Sequence, residues 1–278
     1  MNKFSLILLL STLVVANSPV NAGSEKIGNF ALIDHEGNFH QLRKYGDSKA
    51  VVIISTAVDY QENLERLPKY RLLRTTWERQ GVTFLAINSA ARDSREDIRR
   101  MDDLYNFDLP ILLDSSQLVA ESLGLTRAGE IIVLAPDRFQ VLYRGGLDIE
   151  SRPARPERGV EGREGTSVLA DTLQAVVAGA TSFGETVTVA GEGCELGFSA
   201  LAQHADRTPD YATEIAPLLQ EKCVSCHVEG GIAPFAMNSH MMVQGWSPMM
   251  KEVVMTKRMP PAQVDPAVNH FDNARYMD

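Results

Sequence analysis

The chain has 278 residues, 27 Lys and Arg against 36 Asp and Glu, a formal charge of −9 and three cysteines. That charge argues against a nucleic-acid binder, which needs a basic face for the phosphates. With 44% hydrophobic and 23% charged residues the composition is that of a folded chain. Three cysteines cannot form a disulfide framework for this length, so the chemistry must sit in a local site.

The chain opens with Met1, Asn2 and Lys3. Residues 4–16 are then apolar apart from Ser5, Ser11 and Thr12. Such a run is too short for a bilayer span and suits the apolar region of a signal peptide. Val20 and Ala22 place small residues at the −3 and −1 positions, which predicts cleavage after Ala22 and export to the periplasm. No later stretch is long and apolar enough to span a membrane, so none is expected in the mature chain.

Residues 27–179 alternate strands and helices. Residues 50–56, 81–87 and 130–134 are β-branched apolar runs of the kind buried on both faces of a sheet. Residues 139–144 follow the Pro136-Asp137 turn closely enough to form a hairpin, and residues 110–113 read as a short extra strand. Residues 61–79 predict a helix with a kink at Pro68. Ser94 caps a helix running to Leu104, residues 116–123 form another that Gly124 ends, and residues 166–178 a fourth that Gly179 closes. This order predicts an α/β layer fold with a mixed sheet. Residues 151–165 read as a solvated loop and residues 185–189 as an edge strand, with a boundary near residues 195–208.

The strongest signal follows: Cys223-Val224-Ser225-Cys226-His227. With three cysteines and six histidines, chance produces the pattern on the order of 10⁻³ times in such a chain. Two thiols three positions apart can each add to one vinyl group of a haem, and the next histidine is then aimed at the iron. One covalent haem c is expected, held by Cys223, Cys226 and His227. A Cys-x-x-Cys redox pair is the alternative that leaves His227 unexplained, and a zinc site would need a second ligand pair. Thr213 is expected to cap a short helix, with Pro217 in its first turn and Ile215, Leu218 and Leu219 on one apolar stripe leading to Cys223.

The sixth iron ligand is read as Met259, which Pro260 and Pro261 hold in extended chain. Met237, Met241, Met242, Met249, Met250, Met255, His240 and His270 are the remaining candidates. Seven of the ten methionines lie between residues 237 and 259. They are read as adaptable packing around a flat porphyrin, with a Cu(I) site as the alternative.

Residues 208–278 resemble the small cytochrome c module of exported bacterial proteins, found beside copper type II, ascorbate-dependent monooxygenase-like domains. The resemblance rests on residues 214–227, on Ile232-Ala233-Pro234-Phe235 and on Arg258-Met259-Pro260-Pro261. The family often has Trp-His after the two prolines, where this chain has Ala262 and Gln263. Residues 27–179 are similar to the thioredoxin-like domains of the redoxin and peroxiredoxin group. The catalytic thiol of that group falls at about Val58 here, and Gly129 stands where a cis-proline is usual, so the resemblance implies the fold without its thiol chemistry. Cys194, in a Gly-Cys pair that relatives also carry, reads as a buried structural cysteine, with a lone reactive or metal-binding thiol as the alternative.

The expected organisation is a signal peptide over residues 1–22 and a thioredoxin-like α/β sandwich with a mixed sheet flanked by helices over residues 23–190. A linker over residues 191–207 and a small all-α cytochrome c domain over residues 208–278, truncated at its C-terminus, complete it. The expected function is electron transfer through one haem to or from an exported redox partner, for which a copper monooxygenase-like protein is one candidate. The thioredoxin-like domain would be a scaffold or docking surface, and the chain a carrier rather than a catalyst. A haem peroxidase, a monooxygenase accessory subunit and a copper- or thiol-handling protein are the competing readings.

Overall fold

The computed structural model describes residues 25–58, 60–137, 139–147, 167–180, 187–188, 193–198, 201–202, 207–261, 265, 270–272 and 275. The expected signal peptide and the loop at 151–165 lie outside them.

The hairpin of β1 (Ala31–Ile33) and β2 (Phe39–Gln41) opens the fold; no strand was expected there. A 3-10 turn over Leu42–Tyr45 leads into β3 (Ala50–Thr56), every residue of which is buried. Helix α1 (Gln61–Glu78) crosses to β4 (Val82–Asn88), which pairs parallel with β3. This is the right setting for continuous β-branched runs, because a parallel strand covered on both faces has no polar side to present. The chain continues through α2 (Arg95–Tyr105), β5 (Ile111–Leu113) and α3 (Leu118–Leu123). The antiparallel hairpin of β6 (Ile131–Ala135) and β7 (Gln140–Gly145) and helix α4 (Val168–Val177) follow. β8 (Val187–Thr188) sits on the edge.

The strand order is β5-β4-β3-β6-β7-β8. β3, β4 and β5 run parallel, and β6 enters antiparallel to β3. A parallel βαβ unit joined to an antiparallel hairpin and a closing helix is the thioredoxin-like arrangement.

Alternate residues of β3 feed two cores. Val52 and Ile54 face one containing Tyr70 and Trp77 of α1, Ile98 and Met101 of α2, and Leu169 and Leu173 of α4. Val51 and Ile53 face the other, with Phe30 and Leu32 of the first hairpin, Val119 and Leu123 of α3, and Leu196. Each fully buried aliphatic side chain contributes about 1.5–3 kcal/mol. Helix α1 runs through Pro68, which forfeits one backbone hydrogen bond, and Ser94 caps α2 in a full capping box with Asp97.

The stretch expected as a linker in part packs onto this unit. Ala128 N donates to Cys194 O at 2.9 Å, Leu196 N donates to Thr126 O at 2.8 Å, and Gln117 Nε2 donates to Gly197 O at 2.7 Å. Leu196 is buried in the second core.

Beyond it come a π-helical turn over Tyr211–Ile215, α5 (Ala216–Lys222) and α6 (His240–Met255). The cap of the first turn is Asp210, not Thr213: its carboxylate accepts from Thr213 N and Thr213 Oγ1, both at 2.8 Å. The N-cap lies three residues earlier because a carboxylate can take both donors at once. Helix α6 was not anticipated. Among the described residues no helix is long and apolar enough to cross a membrane.

Candidate functional site

Leu219 is the buried residue of α5, and the helix ends where Cys223 N donates to Leu219 O at 2.8 Å. The chain then turns on itself. Cys226 N and His227 N both donate to Cys223 O at 3.1 Å, so the two cysteines and the histidine share one tight loop. Both thiols are free and half-buried, whereas His227 is buried. Burial pushes the Cys223 thiol above its ordinary range, against a smaller opposing pull from Arg275.

The His227 imidazole is fixed from two sides. Its Nδ1 lies 3.0 Å from Phe235 O, and its ring centroid lies 4.7 Å from that of Phe235. A carbonyl oxygen can only accept, so Nδ1 carries the proton and the Nε2 lone pair is left for a ligand. Phe235 is held in turn by stacking on Trp246 of α6, with centroids 4.7 Å apart and planes at 12°. Met237 N donates to His227 O at 2.9 Å and Ala233 N to Cys226 O at 3.2 Å, which closes residues 226–237 into a compact loop. Gly231 allows that closure. A Cβ there would stand 2.6 Å from Cys226 O and 2.9 Å from Val228 O.

Large apolar side chains of this loop, α5 and α6 are exposed. Leu218, Val228, Ile232, Met241, Trp246 and Met249 are exposed, Ile232 to 91%. Val228 and Ile232 belong to the loop itself, and Trp246 reaches it through its stack on Phe235. The two thiols, an imidazole with a free Nε2 and these side chains can together hold a flat apolar group by covalent anchors and a metal bond.

Met259 stands just beyond α6. It is half-buried, and its N–H donates to Val253 O at 3.1 Å. Val58, at the position of the redoxin thiol, instead donates its N–H to Asp93 Oδ2 at 2.7 Å. Gly129 has φ +92° and donates to Ser55 O, so the loop takes its shape without a proline.

Cys194 corrects the sequence reading: it is exposed, not buried. The backbone bonds to Thr126 and Ala128 send Leu196 into the core and leave Cys194 on the rim of a cavity of about 290 Å³. Ala57, Tyr60, Arg92 and Ala128 line the same cavity, at the end of β3. Spacing along the chain could not reveal this proximity, because an antiparallel bridge between Arg127 and Glu195 brings Cys194 beside the loop before β6.

No protein-family model matches the chain, and no curated protein matches it. Solved structures do. A hypothetical protein from Sinorhizobium meliloti 1021 is similar at 23% identity, over 64% of this chain and 94% of that one, with a TM-score of 0.51. An uncharacterized conserved protein from Geobacillus kaustophilus is similar at 21% identity, over 62% and 90%, with a TM-score of 0.49. The peroxidoxin BcpB from Mycobacterium tuberculosis is similar at 18% identity, over 57% and 97%, with a TM-score of 0.42. The likeness to the Sinorhizobium protein is one of fold alone.

Proposed function

We propose that this chain is an exported electron-transfer protein that holds one haem c at residues 223–227. The thioredoxin-like unit serves it as a scaffold rather than as a thiol catalyst. The observation that carries the reading is the His227 imidazole, whose Nδ1–H bond to Phe235 O leaves Nε2 as the ligating atom directly after two free, half-buried thiols.

Cys223 and Cys226 would anchor the porphyrin as thioethers, and His227 would be the proximal ligand. Once bound, the haem supplies a one-electron Fe(III)/Fe(II) couple. The exposed apolar side chains of α5 and α6 would cover the porphyrin edge and exclude water from it. Met259 is proposed as the sixth ligand, which would fill the last coordination position and favour electron transfer over peroxide chemistry. Val58 offers no thiolate at the position of the redoxin thiol. The proposed partner is a second exported redox protein.

The test is expression of the full chain with export in cells that carry a working haem-ligation system. Intact mass should show one haem per chain that survives acidified acetone, and Cys223→Ala with Cys226→Ala should abolish that retention. A colourless wild-type protein, or pigment lost to the acid solvent, refutes the proposal. A Cys223–Cys226 disulfide in such material would point instead to a redox pair.

A further inference from the structure

The chain on either side of Met259 is gripped by the thioredoxin-like unit. Upstream, Met255 packs against the second sheet core and Thr256 is completely buried. The charge of Lys257 acts on Asp114, a carboxyl buried under α3, and Glu252 lies 3.8 Å from Arg43. Downstream, Asp265 Oδ2 sits 2.5 Å from Arg95 Nη1, with side chains only 16% and 9% exposed. Arg95 is the first residue of α2, whose start is pinned by the Ser94–Asp97 capping box. Exposed ion pairs hold little, but a pair this desolvated leaves an uncompensated charge when one partner is removed. Met259 lies three residues after Thr256 and six before Asp265, between the two grips.

We propose that Arg95 and Asp265, with Met255 and Thr256, are positioning residues that clamp the chain around Met259 and thereby govern how firmly its thioether serves as the sixth ligand. This rests on the haem reading above and gives the thioredoxin-like unit a role in it: the sheet carries the ligand-bearing segment. Outer-shell partners of this kind typically change ligand affinity by roughly 10–100-fold when removed.

The experiment compares the holoprotein with Arg95→Ala, Asp265→Asn and the exchanged pair Arg95→Asp with Asp265→Arg, and uses Met259→Ala as the reference for a lost ligand. Haem stoichiometry by mass should stay at one. The near-infrared thioether-to-iron(III) band should weaken in both single variants, and imidazole should displace the sixth ligand at roughly 10–100-fold lower concentration. The midpoint potential should fall towards that of Met259→Ala, and the exchanged pair should restore the band. A band, potential and imidazole affinity unchanged in both single variants overturn the clamp. If Met259→Ala keeps the wild-type band, the clamp falls while the haem reading stands. Wild-type protein without covalent haem overturns both.

Discussion

Gly193 shows how much one missing Cβ can decide. Its φ is +143°, and a Cβ would stand 1.7 Å from Ala128 O, the residue whose N–H bonds Cys194 O. Gly193→Ala should therefore destabilise the fold by about 1–3 kcal/mol through overpacking, measured as a lower unfolding midpoint in calorimetry. Asp34 decides a different property. Burial raises its carboxyl, but hydrogen bonds from His40 at 2.8 Å and from Asn38, with the His40 charge, outweigh that and hold it below 3.8. A carboxyl depressed in the fold contributes stability above its unfolded pKa, lost as pH falls through the folded value. Asp114 has the opposite sign. Its burial dominates and raises the carboxyl, so its contribution is full at low pH and lost as pH rises from the unfolded value through the folded one. Asp34→Asn should thus lower stability at neutral pH and flatten the loss below about pH 4, as read from urea midpoints across a pH series.

At the scale of elements, local chemistry and burial share the work. The start of α2 is set locally: Ser94 Oγ accepts from Asp97 N, and the Asp97 carboxylate accepts from Ser94 N in return. Ser94→Ala should cost about 1 kcal/mol and lower the thermal midpoint without changing the far-ultraviolet spectrum. The start of the turn at Tyr211–Ile215 is equally local but three residues earlier than expected, at Asp210 rather than Thr213. Helix α6 was not legible because Gly245 and Pro248 interrupt it and its apolar residues do not make one clean stripe. It forms because Ser239 caps it and because Val243, Trp246 and Met255 each find a tertiary contact. The β1–β2 hairpin escaped notice for a related reason: strands of three residues carry too little periodicity to be seen.

For the whole molecule, Leu196 tests where the sheet unit ends. It lies in the stretch expected as a linker, yet it shares a core with Leu125, Ala128 and Ile132. Leu196→Ala should cost about 2–5 kcal/mol if residues 193–198 fold with the sheet, measured by denaturant unfolding of the full chain. A linker residue would cost nothing measurable.

The amino-acid order alone determined the strands of the sheet, three helix caps and the grouping of Cys223, Cys226 and His227, because each depends on neighbours a few positions away. Periodicity and capping act over one or two turns, and they are written directly in the chain. What it left open were the exposure of Cys194, the carbonyl that fixes the His227 tautomer and the grip on both sides of Met259. Each of these joins residues that only folding brings together: Cys194 to Ala128, Phe235 to Trp246, and Asp265 to Arg95. Such contacts are set by how the layers pack, and no local pattern in the chain encodes which distant surface will be there to meet.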